Sequence, residues 1–264
     1  MDKIGFIGTG NMGSAIIRAL AKSPNNKIFI TDVKKEVAKS LADDTKTTFL
    51  ETNQLLESSD IIFLAVKPQI LPSLYPILVK HKNKKWISMA AGISLETLTK
   101  NLESNDVIRI MPNIASSVEK SVTAVAPCKG ANDSFVKTAV KLVNSFGLAI
   151  EVDESLISAF TAISGSAIAT VFAFLNGIAL GGVREGFGYE EALKIISLTT
   201  EGAVKLLQES KIHPEQLISQ VCSPQGTTIE AIKVLESSNF KGTLMESVRS
   251  TTLRANQLEA DAKK

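Results

Sequence analysis

Lys3-Ile-Gly-Phe-Ile-Gly-Thr-Gly-Asn-Met-Gly-Ser-Ala-Ile16 is the stretch whose reading decides the fold. Ile4 to Ile7 supply the short apolar run that a buried parallel strand needs. The run ends in Gly8-Thr9-Gly10-Asn11-Met12-Gly13, which satisfies G-x-G-x-x-G, and apolar residues then recur at helical spacing (Met12, Ala15, Ile16, Ala19, Leu20). In such a strand–turn–helix unit the three glycines allow the tight turn, the approach of backbone to a pyrophosphate, and the packing of helix on strand. The helix N-terminus adds free N–H groups and a partial positive charge. A merely tight βα turn is the bland alternative. What favours a dinucleotide site is an acid at the right distance.

That acid is Asp32, which follows a second strand, Lys27-Ile-Phe-Ile-Thr31, and lies 22 residues beyond Gly10. A carboxylate at this spacing takes ribose hydroxyls. It also repels a 2′-phosphate, which favours NADH. Lys34 and Lys35 pull the other way, since either can pair with a 2′-phosphate or simply be solvated at the start of the next helix. NADH and NADPH both stay open as cofactors.

Composition bounds the rest. The chain has 264 residues, of which 44% are hydrophobic, enough for one α/β domain and a smaller partner. Only 5% are aromatic and the net charge is +2 with Lys and Arg spread along the chain, so nothing calls for a nucleic acid or an anionic membrane. Two cysteines, Cys128 and Cys222, suit a reducing compartment. The first residues enter a strand directly, which reads as no signal peptide and a cytoplasmic chain.

Further along, a helix around Val37–Leu41 and a weak strand at 47–50 precede Asp60-Ile-Ile-Phe-Leu-Ala-Val-Lys67-Pro68. This is the clearest buried strand in the chain. It places Ala65, Val66 and Lys67 at a strand's carboxyl end, where an open parallel sheet binds ligands, and Pro68 starts a helix. A surface lysine at a strand end is the bland reading of Lys67. Strands follow at 86–89, 107–110, 121–126 and 148–152, with helices near 70–79, 94–102 and 132–145. The strand at 107–110 empties into Met111-Pro112-Asn113. The β–α alternation then stops, giving a Rossmann-like dinucleotide-binding domain over 1–153 and an all-α dimerisation and substrate domain over 154–264.

The helical part centres on Ala167–Val183, 17 residues with two polar side chains, Thr170 and Asn176. It is short for a membrane span and holds three glycines. A helix apolar all round must be buried on all sides, and so short a domain provides little inside. A second copy of the chain is the better cover, with Gly177, Gly181 and Gly182 allowing close approach. Further helices are expected at 189–210, 214–221, 227–236 and 241–260. Between two of them lies Cys222-Ser-Pro-Gln-Gly-Thr-Thr228. It reads equally as a capped loop or as a helix N-terminus that receives a small carboxylate.

The chain offers few acid–base groups. Its two histidines, His81 in a basic loop and His213 before Pro214, lie at neither a strand end nor a glycine turn. No lysine occurs between Lys141 and Lys194. A protonated cyclic imine accepts hydride without a strong general acid, so this scarcity points to C=N reduction.

The motifs G-F-I-G-T-G-N-M-G at 5–13, A-V-K-P at 65–68, M-P-N at 111–113, S-G-S at 164–166 and S-P-x-G-T-T at 223–228 resemble, in order, the pyrroline-5-carboxylate reductase family. The resemblance covers essentially the whole chain. It implies an interdigitated helical dimer that can assemble further, and NAD(P)H-dependent reduction of 1-pyrroline-5-carboxylate to L-proline. It implies that Ser223, Gly226, Thr227 and Thr228 hold the substrate, with Thr228 nearest the imine nitrogen. It further implies that Asn53, Ala65, Val66, Lys67, Pro68 and Asn113 belong with the glycine turn and Asp32 on the cofactor side. Three stretches depart from the family pattern. Ile114-Ala115 replaces Thr-Pro, Ala167-Ile168 replaces Gly-Pro, and Gln225 replaces a glycine. These departures keep two other readings in view, a regulatory dinucleotide-binding paralogue and a reductase of a different imine.

From Asp32 we predict a lower KM for NADH than for NADPH, with kcat little changed between them. Initial rates at varied concentrations of each cofactor check this. A lower KM for NADPH would contradict it and turn attention to Lys34 and Lys35.

Overall fold

Buried apolar runs become strands, as expected. The computed structural model describes residues 2–262. Its sheet is built from β1 (Asp2–Ile7), β2 (Asn26–Thr31), β3 (Thr48–Phe49), β4 (Ile61–Leu64), β5 (Lys85–Ser88), β6 (Val107–Met111), β7 (Ser121–Pro127) and β8 (Gly147–Glu151). The strand order is β3-β2-β1-β4-β5-β6-β7-β8. Neighbours are parallel except β6 and β7, which run antiparallel. Helices α1 (Asn11–Ala21), α2 (Lys35–Thr45), α3 (Thr52–Ser58), α4 (Leu71–Leu78), α5 (Leu95–Leu102) and α6 (Asp133–Val143) connect the strands.

Helices cover both faces of the sheet at its centre, so β4 is apolar and buried throughout and β1 is buried from Ile4 to Ile7, rather than alternating. Along β4, Ile61 and Phe63 join one core with Ile4, Phe6, Ile16 and Leu20, while Ile62 and Leu64 join the other with Leu55, Leu71 and Leu98. The Phe6 and Phe63 rings stack with centroids 4.4 Å apart, fixing β1 beside β4. Ser94 caps α5 by accepting from Thr97 N at 3.2 Å, and Asn132 caps α6 by accepting from Ser134 N at 2.9 Å.

After β8 the chain is helical. A short α7 (Ile157–Phe160) runs through a π-helical turn, Thr161–Ser166, into α8 (Ala167–Arg184), followed by α9 (Tyr189–Ser210), α10 (Pro214–Val221), α11 (Thr227–Ser237) and α12 (Phe240–Asp261). The chain forms two compact units, Met1–Gly165 with Ser250–Lys264, and Ser166–Arg249. Secondary structure therefore changes near Asp153, whereas packing changes at Gly165, and the last turns of α12 belong with the sheet.

A buried charge explains that return. Arg109, in β6 and 2% exposed, donates from Nη1 to Glu154 Oε1 at 2.9 Å and to Glu259 Oε2 at 3.0 Å. Glu154 Oε1 also accepts from Leu95 N at 2.6 Å. One guanidinium thus ties together the start of α5, the corner after β8 and the end of α12.

In the second unit, α8 packs on α9. A β-carbon on Gly182 would lie 2.9 Å from Ala192 Cβ, whereas Gly177 and Gly181 face open space. The run Glu154–Arg184 is long and apolar enough to cross a membrane by length and composition, yet only 22% of its most apolar window is buried within the chain. Phe172, Phe174, Ile178, Leu180 and Val183 are exposed on α8, as are Ile195, Leu198 and Leu206 on α9. Apolar surface this extensive marks an interaction site.

Removing the buried cation strands two carboxylates. Arg109→Ala should cost about 3–5 kcal/mol in a urea melt at fixed protomer concentration, and Glu259→Gln less. An unchanged midpoint for Arg109→Ala would contradict the clamp. Covering α8 at roughly 25 cal/mol per Å² requires a partner. Sedimentation at sub-micromolar concentration should therefore show no folded monomer; a folded monomer there would refute this.

Candidate functional site

The glycine turn is seated against the end of β4. Gly8 N donates to Thr31 O at 2.9 Å, and Ala65 N donates to Ile7 O at 2.9 Å, so pairing continues to the lip of the sheet. Gly8 has φ +106°, and a β-carbon there would lie 2.5 Å from Ala65 O. A β-carbon on Gly13 would lie 2.6 Å from Gly8 O and 3.2 Å from Ala65 Cβ, which is the close packing of helix on strand. These contacts bring Gly8, Gly13, Ala65 and Val66 together.

Gly10 differs: nothing lies within 4 Å of where its β-carbon would be. It is the N-cap of α1 and provides no side-chain cap, so the start of α1 opens onto that space. An open backbone face at an uncapped helix N-terminus fits a pyrophosphate.

Asp32 does more than its spacing suggested. Its Oδ2 accepts from Thr9 N at 2.7 Å and Thr9 Oγ1 at 3.0 Å, and its Oδ1 accepts from Lys34 N at 3.0 Å. The carboxylate clasps the glycine turn to the end of β2. Of its roughly four acceptor positions, three are engaged, leaving one for a ribose hydroxyl. Lys35 Nζ pairs with Glu51 Oε1 at 2.6 Å. The Lys34 ammonium has no partner among the described residues. A cleft of about 530 Å³ between α1 and α2, lined by Thr9, Asn11, Arg18, Val37 and Asp44 among others, opens beside the turn.

Lys67 is exposed just past β4 and caps a single 3₁₀ turn, Pro68–Ile70, with Ile70 N donating to Lys67 O at 2.9 Å. Asn53 is exposed in the first turn of α3. Asn113 is placed differently, buried at the end of β6 with its amide engaged by the protein. Nδ2 donates to Ser164 Oγ at 2.9 Å and approaches Ser164 O at 3.4 Å, and Oδ1 accepts from Ala115 N at 3.0 Å. Ser164 was visible in the sequence within S-G-S, but nothing local linked it to Asn113.

In the second unit, Ser223-Pro224-Gln225-Gly226 is a tight turn closed by Gly226 N donating to Ser223 O at 3.0 Å. Gln225 has φ +58°, so the turn is type II with glutamine in the position that favours glycine. Helix α11 starts at Thr227 with Gly226 as N-cap and no side-chain cap. Among the described residues, the hydroxyls of Ser223, Thr227 and Thr228 have no hydrogen-bond partner. The result is a second open helix N-terminus, here edged by hydroxyls.

The histidines and the buried cysteine lie away from both helix N-termini in sequence. His213 Nδ1 accepts from Glu215 N at 3.2 Å, capping α10, and His81 lies in the loop after α4, where its backbone N donates to Leu78 O at 2.9 Å. Burial pushes the Cys128 thiol up, and its Sγ donates to Asn105 O at 2.8 Å.

The chain was compared with known proteins. Residues 154–258 match the family model for pyrroline-5-carboxylate reductase dimerisation, and residues 3–92 match that for NADP oxidoreductase, coenzyme F420-dependent. The pyrroline-5-carboxylate reductase of Aquifex aeolicus is 36% identical over 260 residues, 97% of each chain. That of Methanosarcina acetivorans is 37% identical over 265 residues, 97% of this chain and 98% of its own. The crystal structure of Plasmodium falciparum pyrroline carboxylate reductase with NADP bound superposes with a TM-score of 0.88 at 27% identity, over 98% of both chains. With such identity over nearly its full length, and with both open helix N-termini in place, the chain belongs to the pyrroline-5-carboxylate reductase family.

Proposed function

We propose that this protein reduces 1-pyrroline-5-carboxylate to L-proline with NADH or NADPH, the last step of proline synthesis, as a homodimer or dimer-based assembly in the cytoplasm. The observation that carries the reading is the pair of uncapped helix N-termini, α1 with Gly10 and α11 with Gly226. Each suits an anion, the first a pyrophosphate and the second a small carboxylate.

Backbone N–H groups from Gly10, Asn11 and Met12 hold the pyrophosphate, Gly8, Thr9 and Gly13 shape the turn that presents them, and Asp32 lies toward the adenosine ribose. Asn53, Ala65, Val66, Lys67 and Pro68 line the ribose and nicotinamide half. A bound reduced nicotinamide supplies the hydride for the C=N carbon. Ser223, Gly226 and Thr227 take the substrate carboxylate on the first turn of α11. Thr228, in the same turn, holds the ring nitrogen with its hydroxyl, which keeps the protonated imine oriented. The nitrogen arrives protonated and leaves as an amine, so no strong acid is needed from the protein, and the His213 ring is taken up in capping α10. The apolar faces of α8 and α9 are covered by the second copy.

Thr228→Ala should lower kcat roughly tenfold to a thousandfold, bracketing the about hundredfold cost of a misplaced reacting group. Thr228→Ser should recover much of the loss, and His81→Ala and His213→Ala should leave kcat nearly unchanged. Steady-state rates with pyrroline-5-carboxylate decide it. A Thr228→Ala enzyme as fast as its parent, or a crippling histidine variant, would sink the imine mechanism.

A further inference from the structure

The π-helical turn Thr161–Ser166 is the most irregular piece of helix in the chain. Such turns are rare and gather at functional sites. This one is bolted down by side chains. Ser164 Oγ donates to Val122 O at 2.7 Å and accepts from Asn113 Nδ2 at 2.9 Å. Asn113 is in turn held on its other sides. Its N donates to Ser121 Oγ at 3.1 Å, its O accepts from Ser116 Oγ at 2.8 Å, and Ser121 Oγ lies 2.9 Å from Thr123 Oγ1. Asn113, Ser116, Ser121 and Thr123 are all buried. A buried polar network this fully satisfied rigidifies what it touches.

Its place gives it a task. In the strand order, β6 lies three positions from β1, past β4 and β5. At about 4.8 Å per strand this is some 14 Å along the carboxyl edge, on the side of β1 opposite to Asp32. That is the nicotinamide end of the crevice. Next in sequence to each bolted residue is an exposed isoleucine: Ile114 is 64% exposed and Ile163 is 62% exposed. Buried polar groups therefore hold two large apolar side chains out at the edge where the reacting ring must lie.

We infer that Asn113 is a positioning residue acting through Ser164, not a cofactor ligand. It fixes the π-turn so that Ile114 and Ile163 form an apolar wall for the substrate ring. Both bonds of its amide nitrogen go to Ser164, and its amide oxygen caps the 3₁₀ turn that carries Ile114. The inference rests on the reductase reading above.

The test uses the full-length protein with 1-pyrroline-5-carboxylate and each reduced cofactor. Ser164→Ala and Asn113→Ala should each raise the KM for the imine about 10- to 100-fold, as a misplacement near 1 Å does. The KM for cofactor should stay within about twofold, and the double variant should be no worse than the worse single one, because the pair acts as a unit. Ser164→Thr keeps the hydroxyl and should restore most of the loss, and carries the test should Asn113→Ala fail to fold. A raised cofactor KM with an unchanged imine KM would overturn the inference and make Asn113 a cofactor ligand; additive losses would overturn it too. Hydrogen exchange separates this from a failure of the reductase reading. Backbone amides at 164–166 should exchange about tenfold faster in Ser164→Ala, and unchanged exchange overturns the inference. A wild-type protein inactive on this imine would instead bring down the reductase reading, leaving exchange to decide the bolt.

Discussion

A β-carbon on residue 8 would sit 2.5 Å from the Ala65 carbonyl oxygen, and much of the first unit follows from that lack of room. Only glycine lets the chain leave β1, turn with φ +106° and keep the end of β4 in contact. The same contact brings α1 down so that Gly13 touches Gly8 O, and so aims the bare start of α1 along the carboxyl edge. Asp32 then holds the turn from the other side through Thr9. The carboxylate at the end of β2 is thus a structural clasp. Three of its roughly four acceptor positions are filled by the protein itself.

Most of the fold was legible because its signals are local. The runs Ile4–Ile7 and Ile61–Leu64 are strands buried on both faces, and helices at 189–210 and 214–221 lie where the apolar period put them. What stayed hidden depends on partners far away in sequence. Apolar alternation in Ser121–Pro127 cannot give direction, so the antiparallel pairing of β6 with β7 could not be read. Arg109 stood as a lone charge in an apolar strand, its partners 45 and 150 residues away. The π-turn at 161–166 shares its pattern with the α-helix around it. Asn113 was legible as a residue at a strand end, but its engagement with Ser164, 51 residues on, was not.

The second unit shows the same division between local and distant. An apolar α8 asks for cover, and α9 supplies part of it where Gly182 meets Ala192. Gly177 and Gly181 remain open, and large apolar side chains stay exposed, so the rest of the cover comes from another copy. In the turn before α11, glutamine occupies a left-handed position at residue 225, a conformation that stores on the order of 1–3 kcal/mol in a non-glycine residue. The turn closes all the same, and α11 starts uncapped beside it.

The central claim is that this chain reduces 1-pyrroline-5-carboxylate to L-proline with a reduced nicotinamide cofactor. The direct measurement is the initial rate of NADH and NADPH oxidation by the wild-type protein with 1-pyrroline-5-carboxylate, with L-proline quantified alongside. The account predicts substrate-dependent oxidation of the reduced cofactor with one L-proline formed per cofactor consumed. A folded, oligomeric protein that binds the cofactor but forms no L-proline would contradict it.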